Sequence, residues 1–334
     1  MGTPREAQRQ FGQQLQSDVN DYFPHRITIR RGDSIRWIPS GFHNVDIPAR
    51  GQRITPLIVP TGQTVSNVLD EAGAPFWFNG PPPQPLLGFN PELIQTSLFG
   101  RRVTYNPSER LQTGLPLQPR PRPVTVRFRR TGTIRYFCDV HPGMNGIVRV
   151  IARRDRVPSR QADRRAVRRQ IQSRLAIARD LARFRPPANV IRLGVAGRGG
   201  VERFAFQPSQ LSVPSGTGIQ FQMSPGSYEV HTATTGPGNP ESEPQSFLGQ
   251  LAGTFETPQV DPRAIYSSEP PGAPAATLAP GLHGNTFWNS GVLDRFPNTP
   301  NPAANTVRIG GPPGTTYTFY CLIHPFMRAT ITAT

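Results

Sequence analysis

The residues of this chain with the clearest potential for chemistry are a cysteine, a histidine and a methionine that occur twice at one spacing. The two sets, 183 residues apart, are Cys138, His141 and Met144, and Cys321, His324 and Met327. They contain both cysteines and two of the four methionines of the 334-residue chain. A thiolate, an imidazole and a thioether on one tight loop, completed by a second imidazole from elsewhere, make a trigonal His₂Cys site with a weak axial Met. Copper that transfers a single electron is held in this way.

A candidate for the second imidazole lies upstream of each loop. His43 follows the strand-like run 27–37, and His231 follows the similar run 211–221. Gly32 and Trp37 match Gly216 and Phe221 at a constant offset of 184. The repeat therefore includes whole strands, and we interpret the chain as two tandem copies of one domain. A Phe-Trp pair also recurs, at 76–77 and 287–288, at a different offset.

Each half resembles the cupredoxins, the plastocyanin, pseudoazurin and amicyanin family. Cys-x-x-His-Pro-Phe-Met in the second half is similar to the short amicyanin ligand loop, and Cys-Asp-Val-His-Pro-Gly-Met resembles plastocyanin-like bacterial proteins. The resemblance implies an all-β fold class, with two Greek-key cupredoxin β-sandwiches, and two type 1 copper ions per chain. The metal ligands that it implies are His43, Cys138, His141 and Met144 for one copper, and His231, Cys321, His324 and Met327 for the other. No catalytic residues are predicted.

The domain organisation follows from the repeat. We expect an N-terminal lead-in at 1–20 with a short helix over 5–19, cupredoxin domain 1 at 21–152, a basic helical linker at 153–188, and cupredoxin domain 2 at 189–334. The two stretches between the upstream histidine and the cysteine are 95 and 90 positions long and rich in Pro and Gly. The resemblance does not account for these inserts.

The basic linker carries much of the net charge of +16. Residues 153–185 contain twelve arginines against three aspartates, and the chain has no lysine. Val167, Ile171, Leu175, Ala178 and Leu181 recur at helical spacing, which predicts an amphipathic helix that ends before the Arg-Pro-Pro at 185–187. Two interpretations stay open. The helix is either a connector whose arginines face water, or a docking surface for an acidic redox partner, an anionic membrane or a cell-wall surface. Nothing resembles a nucleic-acid-reading module, so no nucleic-acid partner is expected.

Several residues near the ligands have predicted roles. Asn44 and Thr232, directly after the upstream histidines, are candidates to support the cysteine sulfur. The loop histidines, His141 and His324, are expected nearest the surface as electron ports. His25 and His283 are left over and are expected in turns or at the surface.

The resulting hypothesis is a two-domain blue copper protein that carries single electrons. The alternatives are a copper-binding or storage protein, and an enzyme similar to multicopper oxidases or nitrite reductases with an inter-subunit copper. Those enzymes place His beside the copper-binding Cys, whereas Cys138 follows Phe137 and Cys321 follows Tyr320, and no His-x-His occurs. We therefore expect no enzymatic activity, and the oligomeric state stays open.

A disulfide between Cys138 and Cys321 is disfavoured, because equivalent positions of separate domains rarely approach within bonding distance. No apolar signal segment is present, so either a signal has been removed or the protein is cytoplasmic. Since cupredoxins resemble one another in working outside the cytoplasm, we expect a periplasmic or extracellular protein whose signal has been removed.

Overall fold

The computed structural model describes residues 1–334. Its strands are β1 (Ser17–Val19), β2 (Arg26–Arg30), β3 (Ser34–Trp37), β4 (Asp46–Ile47), β5 (Ile58–Thr64), β6 (Pro85–Phe89), β7 (Arg102–Thr104), β8 (Leu111–Gln112), β9 (Val124–Arg127), β10 (Gly132–Phe137), β11 (Asn145–Ile151), β12 (Val190–Ala196), β13 (Val201–Gln207), β14 (Gln210–Val213), β15 (Thr217–Met223), β16 (Thr234–Thr235), β17 (Thr277–Leu278), β18 (Trp288–Asn289), β19 (Ala304–Ile309), β20 (Thr316–Tyr320) and β21 (Arg328–Ala333). Its α-helices are α1 (Arg5–Gln8), α2 (Pro91–Gln95), α3 (Arg160–Leu181), α4 (Phe247–Gly253) and α5 (Pro262–Ile265). Shorter helical turns are Arg9–Gln14, Trp77–Asn79, Arg198–Gly200, Thr254–Glu256 and Leu282–Gly284.

The chain forms two compact units. Unit 1 contains Met1–Leu57, Asn90–Arg183 and Ala196–Arg203. Unit 2 contains Ile58–Phe89, Phe184–Val195 and Phe204–Thr334. The segment Ile58–Phe89 therefore packs in unit 2, although the sequence repeat places it inside residues 21–152.

Unit 1 is built from two sheets. One has the strand order β2-β11-β10-β4-β8, and the other has the order β3-β9-β7. Alternate residues of these strands are buried, as expected for strands with one face on a core. Trp37 on β3 contacts Tyr136 on β10, with ring centroids 5.2 Å apart in an edge-to-face arrangement. The two sheets thus pack face to face through large aromatic side chains.

Unit 2 repeats this plan. Its first sheet has the order β14-β21-β20-β16-β18, and β15-β19-β17 run side by side in its second sheet. The matching strand pairs have matching directions: β2 with β11 and β14 with β21 are parallel, as are β7 with β9 and β17 with β19. Phe221 on β15 and Phe319 on β20 meet in its core at 4.7 Å. A mostly β fold is confirmed, and the two halves share one strand order.

Unit 2 also contains a satellite apolar cluster that the sequence did not predict. The Pro-rich insert contributes the β5–β6 ribbon and the side chains of Phe76 and Phe78. Phe76 contacts Phe287 edge-to-face at 6.1 Å. Both of the recurring Phe-Trp pairs therefore lie in unit 2. In the shared strand order, the counterpart of β18 with Trp288 is β8.

The helix α3 has 22 residues and lies between the two repeats in the sequence. Ser159 caps its N-terminus by accepting a hydrogen bond from the backbone N–H of Ala162. Its apolar stripe is buried within unit 1 against the N-terminal segment, including Phe11 and Val19. The helix predicted over 5–19 ends at Gln14, because Ser17–Val19 pairs instead as a strand with Val201–Arg203. No helix is both long and apolar enough to cross a bilayer.

Candidate metal centres

Strand pairing brings the upstream histidine of each unit to the cysteine. Phe137, directly before Cys138, pairs with Asp46, three residues after His43. In unit 2, Tyr320 pairs with Thr234 in the same way, one residue before Cys321 and three residues after His231. The antiparallel register of these short strand pairs therefore places each upstream histidine beside its cysteine, although the two residues are 95 positions apart in one unit and 90 in the other.

Each ligand loop is closed by two backbone hydrogen bonds. In unit 1, the Met144 N–H donates to the His141 carbonyl at 2.7 Å, and the Cys138 N–H donates to the Met144 carbonyl at 3.0 Å. In unit 2, Met327 donates to His324 at 2.8 Å and Cys321 donates to Met327 at 3.1 Å. Met144 and Met327 are both buried. The Cys-x-x-His-x-x-Met spacing thus folds into the same compact turn twice.

The donor atoms of unit 1 form a small triangle. His43 Nδ1 lies 3.0 Å from His141 Nδ1. Cys138 Sγ lies 3.9 Å from His43 Nδ1 and 3.5 Å from His141 Nδ1. All three side chains are buried. Donors bound to one ion by bonds of about 2.0–2.3 Å would lie roughly 3–4 Å apart, so this triangle has the size of a metal site.

The donor atoms of unit 2 form a matching triangle. His231 Nδ1 lies 3.2 Å from His324 Nδ1, and Cys321 Sγ lies 3.7 Å from each of them. Burial by itself raises the pKa of the Cys321 thiol. The hydrogen bonds and charges of the two histidines outweigh this effect, so the pKa is lowered well below its usual value. Cys321 is therefore held toward the thiolate, the form that binds metals.

Each unit takes one imidazole from the segment after an early strand, and takes Cys, His and Met from the loop that joins its last two strands. Both units have the same strand order. The chain has the cupredoxin fold, twice. The two His-Cys-His-Met groups fit two type 1 copper ions, because soft sulfur donors and imidazoles in a buried, trigonal arrangement suit copper.

Comparisons with solved structures gave similarity to copper proteins of the plastocyanin, auracyanin and cupredoxin types. Plastocyanin from Dryopteris crassirhizoma is 16% identical, with 43% of this chain and 99% of that chain covered and a TM-score of 0.22. Auracyanin A from Chloroflexus aurantiacus is 15% identical, with 43% and 96% covered and a TM-score of 0.24. A purple cupredoxin from Nitrosopumilus maritimus is 12% identical, with 43% and 98% covered and a TM-score of 0.19. No family model and no curated relative matches the chain.

Asn44 and Thr232 support the cysteine of each cupredoxin site through the following peptide. The Asp139 N–H donates to the Asn44 side-chain oxygen at 2.8 Å. The Leu322 N–H donates to the Thr232 hydroxyl at 2.9 Å. The Thr232 N–H also donates to Cys321 Sγ at 3.4 Å, a hydrogen bond to the sulfur itself. These two residues therefore occupy equivalent positions with different chemistry.

A buried carboxyl pair beside the first site was not foreseen from the sequence. Asp139 accepts a hydrogen bond from the Asn44 amide at 2.6 Å, and the buried Asp46 carboxyl lies 3.6 Å from the Arg110 guanidinium. Burial, followed by the negative charge of Asp139, raises the pKa of Asp46 to about 8. Burial also raises the pKa of Asp139. The pair therefore holds a proton in neutral solution, beside Cys138.

Tyr22 is a second unforeseen support of this site. Its hydroxyl contacts the carbonyl oxygens of Asn44 at 2.6 Å and Phe137 at 2.8 Å, so it bridges the residues that adjoin His43 and Cys138. The counterpart of Tyr22 at the 184-residue offset is Phe206, which is buried in the core of unit 2 and has no hydroxyl. The sequence shows that the first copy has Tyr where the second has Phe, but it does not show that the Tyr22 hydroxyl contacts these two carbonyl groups.

The ligand histidines differ in exposure. His324 keeps about a fifth of its side chain exposed, and its neighbour Phe326 is 55% exposed. In unit 1, His141 is only 6% exposed, against 2% for His43. Gly2 packs on the His43 ring so closely that an added Cβ would lie 2.5 Å from Nε2. His324 is therefore partly exposed, as expected, whereas His141 is buried.

His25 and His283 join neither donor triangle. His25 Nδ1 lies 3.1 Å from an Asp21 oxygen. His283 Nδ1 lies 3.0 Å from Asp70, and its Nε2 lies 3.9 Å from Glu269. Glu269 raises the pKa of His283, burial opposes this effect, and Asp70 adds to it, so the net pKa is raised. Both histidines therefore contact carboxylates outside the donor triangles.

Proposed function

We propose that this chain is a two-domain type 1 copper protein that carries single electrons, with one copper in each domain. In this proposal the domains are Greek-key sandwiches joined by the Arg-rich helix α3. One observation carries the proposal: two imidazole nitrogens and one cysteine sulfur converge within a few ångström, twice, and each time a buried methionine closes the loop.

The residues of each site are arranged to hold a redox metal with little movement. Bound copper would supply a one-electron Cu(II)/Cu(I) couple. The donor atoms of His43, Cys138 and His141 form one triangle, and the backbone hydrogen bonds of the ligand loop keep Cys138 and His141 in place. Burial excludes bulk water from the donors. A rigid, dry donor set favours electron transfer because few atoms must rearrange when the charge changes.

A carrier explains the distribution of histidines better than an enzyme does. Four of the six histidines lie in the two triangles, while His25 and His283 pair with carboxylates. Catalytic multicopper centres need further imidazoles beside the type 1 site. We therefore propose that the chain is not an enzyme, and that reversible cycling separates a carrier from a copper store.

Partner and compartment follow from this function as proposals. The half-buried His324 beside exposed Phe326 suits a brief encounter with a redox protein, because such complexes use small interfaces. The positive net charge favours an acidic partner. We propose a periplasmic or extracellular location, where cupredoxins work.

Paired substitutions test the proposal. The purified protein should bind two coppers and show intense visible Cys-to-Cu(II) charge-transfer absorption that bleaches on reduction and returns on oxidation. Cys138→Ser and Cys321→Ser should each remove one copper and one part of the colour, and His25→Gln should remove neither. One copper per chain, or loss of all colour from either single change, would contradict two independent sites. Copper that binds but does not cycle would support storage.

A further inference from the structure

The helix α3 presents a continuous positive face to solvent. We define this cationic face as Arg164, Arg165, Arg168, Arg169 and Arg179 of the helix together with Arg183, which lies two residues after its end; all are exposed. The helical period places most of these arginines on an exposed flank next to the stripe of buried residues Ile171, Leu175 and Ala178. Arg164 lies two turns before Ile171, in line with that stripe but exposed. At 1.5 Å per residue, the stretch from Arg164 to Arg179 is about 22 Å long. Three more exposed arginines, at 153, 154 and 156, precede the helix.

Few of these charges are neutralised by the protein. Arg183 lies 3.7 Å from Asp180, but both side chains are largely exposed, so the pair is weak. Arg174, which is not part of the cationic face, pairs with Asp21 at 2.9 Å and anchors the helix to unit 1. The guanidinium groups of residues 164, 165, 168 and 169 form no ion pair. They are available to a negatively charged partner.

The apolar side of α3 is buried against other residues of unit 1. Ile171, Leu175 and Ala178 pack with Phe11, Val19 and neighbours inside unit 1. An amphipathic helix that inserts into a bilayer must bury its apolar face among the acyl chains, and this helix has none to offer. Any binding by the cationic face must therefore be electrostatic and superficial.

The composition of the surface argues against a protein as the occupant. Protein interfaces have an apolar centre with aromatic anchors. The exposed large apolar side chains of this molecule lie elsewhere, at Ile38, Phe42, Leu69, Leu117 and Phe326. Arginine alone suits phosphate, because its planar guanidinium binds two phosphate oxygens at once. A long row of such groups matches a surface that presents many phosphates.

We propose that the cationic face docks unit 1 onto a bilayer that contains anionic phospholipids. The helix lies along the headgroup plane, and its arginines bind the phosphates while its apolar side stays within unit 1. Each basic residue near an anionic leaflet contributes a factor of about five in affinity. The attraction falls off within a Debye length of about 8 Å at physiological salt, so binding is reversible by salt.

Sedimentation with vesicles tests this proposal on the full-length protein. The vesicles are phosphatidylcholine alone, or phosphatidylcholine with phosphatidylglycerol, at low and high sodium chloride. The variant R164Q/R165Q/R168Q/R169Q removes four charges, and glutamine preserves helix propensity. The matched control R101Q/R102Q/R129Q/R130Q removes four exposed arginines of unit 1 outside the helix. Circular dichroism checks that both variants are folded.

The expected result is binding to the phosphatidylglycerol vesicles at low salt, loss at high salt, and no binding to phosphatidylcholine alone. The helix variant should bind on the order of 100-fold more weakly or worse, while the control stays within about tenfold of the original chain. Equal weakening in both variants would overturn the assignment, because net charge alone would then explain it. Absence of vesicle binding, binding only to soluble polyphosphate or an acidic protein, or equal competition by inorganic phosphate would also overturn it.

Discussion

The carboxyl pair beside the first site gives a prediction about pH. Asp46 is fully buried, and its folded pKa is raised to about 8 by burial and by the charge of Asp139. A carboxyl group whose pKa is raised on folding binds its proton more tightly in the folded state. Its contribution to stability is therefore present below its unfolded pKa, near 3.8, and is lost as the pH rises through the folded pKa.

The size of the effect follows from linkage. Between the two pKa values, stability falls by 1.36 kcal/mol per pH unit for one proton. From pH 5 to pH 8, unit 1 should lose about 4 kcal/mol in its free energy of unfolding. In Asp46→Asn, a neutral amide replaces the carboxyl and can donate to Asp139. This variant should lose most of the pH dependence and be more stable than the original chain at pH 8.

Amide hydrogen exchange of β10 and β11 in the metal-free protein measures this, because it reports unit 1 by itself. Asp155→Asn, which removes an exposed carboxylate of unit 1, is the matched control variant. Asp155→Asn should keep the full slope. The reasoning is refuted if Asp46→Asn keeps the slope of the original chain, or if the stability of unit 1 rises from pH 5 to pH 8.

Three further predictions concern other parts of the molecule. Thr232→Val leaves a buried backbone N–H of the ligand loop without its acceptor and should cost about 1–3 kcal/mol in urea unfolding of unit 2. Thr232→Ser keeps the hydroxyl and should cost less, so equal losses would contradict the role of the hydroxyl. Because the pKa of His283 is raised on folding, unit 2 should lose stability as the pH rises from about 6.5 through the folded pKa. His283→Gln should flatten this slope in thermal unfolding, and an unchanged slope would rule out His283 as its source. Leu175→Ala opens a cavity beneath α3 and should cost about 2–5 kcal/mol, whereas Ala176→Ser on the exposed side should cost little. Similar losses from both in urea unfolding of unit 1 would exclude packing as the cause.

Much of the site could be predicted from the sequence because its chemistry is local. Three of the four ligand positions of each site lie within seven residues, and the spacing of Cys138, His141 and Met144 is that of one turn. The identical spacing of Cys321, His324 and Met327 indicated that the domain is repeated. The strand-like runs before His43 and His231 then indicated which imidazole completes each set.

Apart from the roles of Asn44 and Thr232, the supporting contacts could not be predicted, because they join residues that no pattern links. Asp46 and Asp139 are ordinary surface types whose burial depends on the pairing of β4 with β10. Trp77 Nε1 donates to the Ser267 carbonyl across 190 positions. The exposure of a ligand histidine also depends on residues that are distant in the sequence, because Gly2 packs against the His43 ring.

The placement of Ile58–Phe89 in unit 2 has a consequence for synthesis. This segment leaves the ribosome long before its packing partners, so the apolar side chains of Val65, Phe76 and Phe78 lack the rest of their cluster until Leu248 to Leu322 have been translated. Unit 1 and unit 2 are interleaved along the chain, and no single proteolytic cut can release both of them whole. A protease that trims the chain at its middle would leave each fragment missing a piece of its own core or carrying a piece of the other's.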